Sequence, residues 1–480
     1  MISIGIYMIV IPIILAVVLG LFTPSKSTIA KYIALLIFGS MLSESISLLN
    51  RVPKEGFLNL GNYLKVENFP FELTLQVDTL STIMLILTSL LLILVTLSSW
   101  NQKSSRYFVL LIMFSGFIYG LFMSTNLLWF FIFWELTLIP MYFLIGIWGA
   151  EGRIYAAIKF FLYTHFASML ILLALFLIYS QTEIMDISLL KESMMATPAL
   201  VWWLMFIGFA VKMPIFPFHT WLPDAHVQAP APISVLLAGV LLKMGAYALI
   251  RFNILIMPQS AKEFAWILLV LGTITIFYAG FMALYEKHLK KMVAYSSISH
   301  MGLVAVGIST LTQAGLSASL YEMIGHALII SPLFLIAGIL HQKTSSWLIE
   351  DMGGLMQKAP YISTIFVIAG LAALGLPGTM GFIGEISILI ASIKSWGLIM
   401  SIVALGSMVG AGYIIWSFRR VIYGEISYKI ANSRFEISMA EKLSLGIFAI
   451  LIILFGIVPS TLFVYINQAF SAIANTGGIL

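Results

Sequence analysis

Residues 209–226 read "FAVKMPIFPFHTWLPDAH" and place a lysine, three prolines, two histidines and an aspartate inside an otherwise apolar region. Pro214, Pro217 and Pro223 cannot donate backbone hydrogen bonds, so a helix that enters this stretch must open and free carbonyl groups. At membrane depth, irregular backbone is tolerated where it is buried in protein or lines a wet cavity. The stretch therefore predicts a broken transmembrane helix, with room for water beside Lys212.

The composition indicates that lipid is the main solvent of this chain. Its 480 residues are 61% hydrophobic and only 9% charged, whereas soluble domains carry about 25% charged residues. Segments of about 20 apolar residues cross a bilayer as helices, and we predict an all-α, polytopic membrane protein with about fourteen of them. The first span has no basic residue before it and is expected to be a retained helix rather than a cleaved signal. The predicted spans lie near 2–22, 29–49, 79–100, 107–124, 127–148, 155–180, 200–218, 229–252, 263–285, 290–309, 313–341, 361–390, 394–421 and 442–470.

The distribution of Lys and Arg predicts the orientation of these spans. Fourteen spans place both termini on one side of the membrane. Alternate loops then fall into a set with fifteen Lys and Arg residues, Lys290 among them, and a set with seven, Arg251 among them. The remaining three, Lys159, Lys212 and Lys243, lie inside spans. Because the more basic side is usually cytoplasmic, both termini are expected on the non-cytoplasmic side.

A weak internal repeat predicts the organisation of the chain. Residues 107–252 and 263–421 each contain five spans, one of which is broken; the second break is "LGLPGTMGFIGE". Paired breaks in corresponding halves are typical of inverted-repeat transporters, and an odd number of spans inverts the second unit. We expect an N-terminal three-helix segment at 1–100, two inverted five-helix repeats at 107–252 and 263–421, and a C-terminal loop and last helix at 422–480.

Four charged residues, Glu135, Lys212, Lys243 and Glu385, lie inside predicted spans. Each costs about 2.5–3.5 kcal/mol at the centre of a membrane helix. One explanation is that Glu135 and Lys212 pair only to hold the bundle together. Apolar packing could replace such a pair, and this explanation leaves Lys243 and Glu385 without evident partners. The other explanation is a proton relay, because a carboxylate that approaches or leaves a buried lysine changes whether the amine keeps its proton.

Two histidines extend the candidate relay. His300 lies in "YSSISHMG", with Ser296 one helical turn before it, and His326 lies in "YEMIGHALIISP", with Glu322 at i−4 on the same helix face. Each histidine has packing as its alternative role. Histidine titrates near neutral pH and transfers protons between its two nitrogens, so we predict that both continue the relay.

No feature of the sequence predicts a cofactor or a metal in this chain. Cysteine is absent, which excludes disulfides, thiolate-bound iron–sulfur clusters and catalytic thiols. Phosphate-binding glycine loops and nucleophile elbows do not occur, and no basic surface supports nucleic-acid binding. His219, Asp224 and His226 follow no familiar metal-ligand spacing, and a hydrated loop or relay entrance is the favoured interpretation.

Four stretches carry a resemblance to a known family: "FWELTLIPMYFLIGIWG", "AVKMPIFPFHTWLPDAHVQAPAPISVLLAGVLLKMGAYALIR", "KKMVAYSSISHMG" and "GLPGTMGFIGE". Over about residues 78–425 the chain resembles the proton-pumping antiporter-like subunits of respiratory complex I. The motif "HTWLPDAHVQAPAPIS" also resembles the L- and N-type subunits and multisubunit sodium/proton antiporters. The M type, which is subunit 4 in mitochondria, is most similar, because it has glutamate at the position of Glu385 where the others have lysine.

The resemblance implies a fourteen-helix fold with two inverted five-helix units and broken seventh and twelfth helices. Glu322 departs from the family pattern, in which a neutral residue is expected. By position, the resemblance also implies six proton-transfer residues: Glu135 and Lys212 as a switching pair, Lys243 as the central carrier, His300 and His326 as the link, and Glu385 as the outlet.

Three functional hypotheses remain. The first is a proton-translocating membrane subunit of a complex I-type NADH:quinone oxidoreductase (or one with a related donor). The resemblance then implies neighbouring membrane subunits as partners, an energy-coupling membrane such as the cell inner membrane, and FMN, iron–sulfur clusters and quinone in partner subunits. The second is a subunit of a multisubunit sodium/proton antiporter or a membrane-bound hydrogenase-type complex without quinone reduction. The third is a scaffold whose charges only stabilise the bundle.

Overall fold

The computed structural model describes residues 4–54, 56–64, 72–193 and 199–471, and helices dominate it. Residues 1–3 and 472–480 lie outside the described residues. The predicted non-cytoplasmic location of the two termini concerns these residues and therefore stays a prediction. The start of the first predicted span, at residues 2–3, therefore also lies outside the described part.

Twenty-two α-helices make up most of the described chain. In the N-terminal part they are α1 (Ile4–Phe22), α2 (Ile29–Leu49), α3 (Thr79–Ser98), α4 (Ser105–Met123), α5 (Leu127–Leu136), α6 (Leu138–Trp148), α7 (Arg153–Thr182), α8 (Ile187–Ser193) and α9 (Ala199–Lys212). In the central part they are α10 (Leu222–Gln228), α11 (Ala231–Leu236), α12 (Leu242–Ala248), α13 (Pro258–Tyr285), α14 (Leu289–Ser309) and α15 (Gln313–Thr344). The remaining helices are α16 (Leu355–Lys358), α17 (Pro360–Ala373), α18 (Met380–Trp396), α19 (Ile402–Ser417), α20 (Tyr428–Ala431), α21 (Met439–Ile457) and α22 (Ser460–Ala469). Short π-helical segments lie at Leu237–Leu241, Leu249–Ile254 and Phe418–Ile422, and 3-10 segments at Ile349–Met352 and Leu398–Ser401.

A small β-ribbon departs from the predicted all-helical architecture. Strands β1 (Leu58–Tyr63) and β2 (Leu73–Val77) pair antiparallel in the long connection between α2 and α3, with Leu58 opposite Val77. The register shifts between Asn59 and Gly61, and Gly61 has a φ of +125°, which a residue with a side chain rarely adopts. The ribbon fits this polar connection because its backbone groups bond to each other.

The helical, polytopic class is confirmed. In the part of the chain that the structure describes, twelve helices are long and apolar enough to cross a membrane. The number rises to thirteen if Ile349–Lys358 and Pro360–Ala373, bent by 117°, form one span. The count of fourteen stays a prediction. Of the predicted spans, 200–218 is helical only as far as Lys212, and 361–390 is divided into α17 and α18 at the second break.

The first break lies where the prolines place it. Helix α9 ends at Lys212, and helical structure resumes at Leu222. Within the break, the backbone N–H of Phe216 donates to the Thr275 hydroxyl of α13 at 2.9 Å. A side chain thus satisfies a backbone group that the interrupted helix leaves without its usual partner.

The second break separates α17 from α18 and depends on glycine. Gly375 and Gly378 have φ angles of +74° and +91°, in the left-handed region that glycine adopts without steric cost. Pro377 lies between them. The chain therefore leaves one helix and starts the next one before Met380, as the sequence "LGLPGTMG" predicts.

Contacts divide the chain into two compact units, which differ in their bounds from the predicted repeats. The first unit comprises Met1–Lys212, Met244–Phe264 and Tyr465–Leu480, and the second comprises Met213–Lys243 and Ala265–Val464. In the first unit α7 packs against α9, and in the second α15 packs against α14, α17 and α18. The division into two inverted repeats stays a prediction.

Two basic residues that the charge count assigns to loops are buried. In the first unit Arg251 is only 4% exposed, and its guanidinium donates to both carboxylate oxygens of Asp78 at 2.6 and 2.7 Å. In the second unit Lys290 is 1% exposed and donates to the backbone carbonyls of Val227 and Ala229. Both residues lie in helical segments rather than in loops, where a carboxylate or freed carbonyls allow a cation to lie inside the protein; the side of the membrane that each marks stays a prediction.

Candidate functional site

Lys212 lies at the C-terminal end of α9, inside the first unit, and is 1% exposed. Its amine makes no hydrogen bond with any described residue. It lies 5.3 Å from the ring centroid of Trp134 and 5.8 Å from that of Phe160, at distances where an aromatic face attracts a cation. The Glu135 carboxylate interacts with it electrostatically, so Lys212 is a buried base with an acid nearby.

Glu135 has another partner that the sequence interpretation missed. Its Oε2 lies 2.5 Å from Nδ1 of His165 on α7, whereas its Oε1 is buried without a hydrogen-bond partner among the described residues. The His165 side chain is 42% exposed and its ring stacks on Phe161, with centroids 5.6 Å apart. The sequence does contain a clue to this partner, because His165 is an ionisable residue inside a largely apolar helix. The predicted Glu135–Lys212 pair is therefore a three-residue group.

Lys243 lies in the second unit and is fully buried. The π-helical segment Leu237–Leu241 directly precedes its helix, and the lysine amine donates to the Ala238 carbonyl at 2.6 Å. The same amine contacts Nδ1 of His326 on α15. Single π-helical turns often occur at functional sites, and here the wider turn supplies a carbonyl acceptor for a buried cation.

The two histidines lie next to each other, with different partners from those their sequence neighbours suggest. The ring centroids of His300 and His326 are 5.6 Å apart. Glu322 bonds across helices to Nδ1 of His300 at 3.0 Å and not to His326 one turn along its own helix. Ser296 accepts a hydrogen bond from Tyr413 at 2.8 Å. The Nε2 atom of His326 is buried and has no partner among the described residues.

Glu385 lies in the second turn of α18, and its carboxyl interacts with the Ser407 hydroxyl. A Cβ added to Gly375 would lie 3.0 Å from Glu385 Oε2, so the break packs directly over this carboxylate. Glu385, His300 and Tyr413 line one small cavity. Glu385 and Ser407 also line a second cavity of about 230 Å³, which has room for several water molecules.

Four of the six predicted residues thus meet in the second unit: Lys243 with His326, His326 beside His300, and His300 with Glu385 around a common cavity. The other two, Glu135 and Lys212, lie together in the first unit.

Both first-break histidines pack against aromatic rings, and His226 also interacts electrostatically with Lys243 and His326. His226 stacks on Phe334 with ring centroids 4.5 Å apart, and His219 packs on Phe216 and Tyr278. Among the described residues, no group of three or more His, Asp or Glu side chains could hold a metal ion. These histidines therefore have aromatic packing partners in the second unit.

The chain is similar to known membrane proteins. A family model described as NADH:quinone oxidoreductase/Mrp antiporter, TM, matches residues 124–410, more than half of the chain. The chain is 42% identical over 408 residues to the NADH-quinone oxidoreductase subunit M of Rickettsia bellii (strain RML369-C), covering 83% of this chain and 82% of that protein. It is 38% identical over 419 residues to the chloroplastic NAD(P)H-quinone oxidoreductase chain 4 of Mesostigma viride, covering 84% and 82%.

Solved structures show the same fold. A chain of respiratory complex I from Thermus thermophilus superposes with a TM-score of 0.87 and 25% identity, covering 98% of both chains. A chain of the Mrp complex from Dietzia sp. DQ12-45-1b has a TM-score of 0.89 and 18% identity, covering 97% and 96%, and it shares the fold. With twelve apolar helices among its described residues, the protein is an integral, multi-pass membrane protein. The chain belongs to the NADH:quinone oxidoreductase/Mrp antiporter transmembrane family.

Proposed function

We propose that this chain is a proton-translocating membrane subunit, of the M type, in a complex I-type NADH:quinone oxidoreductase. The observation that carries the proposal is a group of ionisable residues in the second unit, in which Lys243, His326 and His300 are buried and Glu385 is half-buried: Lys243 contacts His326, His326 lies beside His300, and His300 shares a cavity with Glu385. Buried ionisable groups at membrane depth are costly and typically mark proton or ion pathways.

The first unit supplies the switch in this proposal. The Glu135 carboxylate bonds to His165 while Lys212 makes no hydrogen bond with a described residue. A carboxylate that moves toward Lys212 stabilises the protonated amine, and one that returns to His165 allows the lysine to release its proton. Glu135 therefore exchanges between two partners, and the proton on Lys212 follows that exchange.

The second unit carries the proton onward. When protonated Lys243 donates to Nδ1 of His326, a neutral His326 ring has its own proton on Nε2. As Lys243 gives its proton to Nδ1 of His326, the Nε2 proton leaves through one bridging water toward His300, whose ring lies 5.6 Å away, so that His326 stays neutral. Glu385 then accepts it at the cavity that it shares with His300. Protons move outward, from the more basic, cytoplasmic side toward the side on which we place both termini.

Electron transfer belongs to partner subunits in this proposal. The chain contains no cysteine for an iron–sulfur cluster, so FMN, the clusters and the quinone site are assigned to other subunits of the complex. The neighbouring membrane subunits include other antiporter-like chains. A sodium/proton antiporter subunit is the alternative, since the Mrp complex shares the fold; the glutamate at position 385, where the resemblance to antiporters leads one to expect lysine, favours the respiratory complex.

Mild detergent purification through a tag on this chain tests the function. We expect flavin- and iron–sulfur-containing subunits to co-purify with it and the purified complex to reduce quinone with a pyridine-nucleotide or other reduced donor. Recovery of membrane subunits alone, with sodium-dependent proton transport in the absence of any electron donor, would instead identify an antiporter.

Lys243→Arg is expected to slow coupled quinone reduction and proton pumping at least about tenfold in assembled complexes, because a guanidinium keeps a positive charge but does not release its proton. Both rates are measured in inverted membrane vesicles. Lys394→Arg, a conservative change near the C-terminal end of α18, serves as the matched control and is expected to be silent. Normal pumping by Lys243→Arg would remove this lysine from the pathway.

A further inference from the structure

Glu322 is a buried carboxylate that the proton path described above does not use. It lies on α15, is 1% exposed, and its Oε1 is 3.0 Å from Nδ1 of His300 on α14. Its Oε2 is buried and has no hydrogen-bond partner among the described residues. A carboxylate without full hydrogen bonding is costly in such a place, so packing alone does not account for its presence.

The neighbouring helix is built around this carboxylate. A Cβ added to Gly384 of α18 would lie only 2.1 Å from Glu322 Oε2, so any larger residue at position 384 would displace it. Gly384 directly precedes Glu385 in the chain. The carboxylate of Glu322 therefore fits between the histidine on α14 and the backbone that presents the outlet residue.

The hydrogen bond determines which nitrogen of His300 handles protons. An ionised carboxylate only accepts hydrogen bonds, so Nδ1 of His300 must carry a proton and donate it to Glu322. Nε2 is then the nitrogen that takes up and releases the transferred proton. A carboxylate behind an imidazole also stabilises the imidazolium that forms during transfer, as the aspartate does in serine protease triads.

We propose that Glu322 is a positioning residue for proton transfer through His300. The ionised carboxylate keeps the Nδ1 proton of His300, directs uptake and release to Nε2, and stabilises the transient imidazolium between the His326 side and Glu385. The inference rests on the proposed proton-translocating function. One proton enters His300 at Nε2 and one leaves from Nε2, so no proton passes through Glu322.

Other charged groups surround this pair and are held constant in the test. Lys243 interacts electrostatically with both Glu322 and His300, and Glu385 also interacts with both. His326 lies next to His300. Because changes at these residues would alter the same proton transfer, the test varies the charge and the length of the side chain at position 322 alone.

Two replacements separate charge from packing. Glu322→Gln keeps the size and an acceptor oxygen but removes the charge, whereas Glu322→Asp keeps the charge and removes one methylene group. Proton pumping and quinone reduction are measured in assembled complexes, with assembly followed by co-purification. We expect Glu322→Gln to lower pumping at least about tenfold and Glu322→Asp to retain a substantial share of it. The opposite order, with Gln active and Asp impaired, would show a packing role and overturn the proposal.

A variant on another helix keeps the test decisive if Glu322→Gln fails to assemble. Gly384→Ala leaves the carboxylate in the chain but pushes it away from its present position, and we expect a loss of pumping similar to that of Glu322→Gln. Normal pumping by assembled Gly384→Ala would contradict the proposal. In a His300→Gln background, Glu322→Gln is expected to cause no further loss, because Glu322 acts through His300; an additional tenfold loss would mean that it acts elsewhere.

Lys212→Ala distinguishes failure of this inference from failure of the proposed function. If Lys212→Ala abolishes pumping and Glu322→Gln leaves it unchanged, the chain pumps protons without help from Glu322. If neither variant affects pumping, the relay itself is absent and the proposed function fails together with this inference.

Discussion

Lys212→Ala abolishes proton pumping and the quinone reduction coupled to it while leaving the complex assembled; this is the largest functional effect that we expect. The amine is almost completely buried, makes no hydrogen bond with a described residue and has Glu135 as its nearby acid. Alanine cannot hold a proton at this point. Because the amine makes no hydrogen bond with a described residue, its removal breaks none, and we expect the complex to assemble.

Inverted membrane vesicles allow both activities to be measured on the same sample. Dye quenching reports proton pumping, and donor oxidation reports quinone reduction. Lys262→Ala, the same substitution at an exposed position of α13, is the matched control and is expected to retain wild-type rates. Glu135→Gln should resemble Lys212→Ala, because it removes the carboxylate that drives the exchange. Wild-type pumping by assembled Lys212→Ala would refute the relay and favour the scaffold hypothesis.

Asp78→Ala is expected to cause the largest loss of stability. Asp78 accepts two hydrogen bonds from Arg251, at 2.6 and 2.7 Å, and a third from the backbone N–H of Ser81 at 2.8 Å. Removal of one partner leaves the other charge buried and unpaired, which costs about 3–5 kcal/mol. The aspartate also caps the N-terminus of α3. We therefore expect a lower steady-state level of the chain and a lower thermal denaturation midpoint of the complex.

Asp351→Ala provides the comparison for this stability test. Asp351 also pairs with a basic residue, Lys429, at 2.7 Å, but the two side chains are 26% and 42% exposed. Exposed ion pairs contribute only about 0–1 kcal/mol, so this variant should remain close to wild type. If Asp78→Ala and Asp351→Ala shift the denaturation midpoint equally, burial does not determine how much these ion pairs contribute to stability.

These two experiments test different uses of buried charge in one membrane protein. Arg251 donates hydrogen bonds to Asp78, Ser81 and Tyr247. The amine of Lys212 makes no hydrogen bond within the described part of the chain, and the Glu135 carboxylate interacts with it electrostatically. A cation that is fully bonded is held in one protonation state, whereas a cation that lacks hydrogen-bond partners responds to movement of a nearby carboxylate.

Several features of the fold could be predicted because their causes are local in the chain. Apolar segments of sufficient length predict spans wherever they occur, and Pro214 and Pro217 end α9 whatever surrounds them. Gly375 and Gly378 adopt backbone angles that few other residues tolerate. The number of spans was harder to predict, because the breaks divide two apolar segments into helices too short to be counted by length alone.

The sequence by itself determined that this chain is a membrane protein and where its helices break. It also determined which acids and bases carry a free-energy cost inside the bilayer that calls for a functional explanation. Only the tertiary structure decided which of them meet. By helical periodicity Glu322 lies on the same helix face as His326, but its carboxylate bonds to His300. Glu135 likewise bonds to His165 rather than to Lys212. The reason is physical: hydrophobicity and helix breaks depend on neighbours in sequence, whereas the partner of a buried side chain depends on how adjacent helices are rotated and packed.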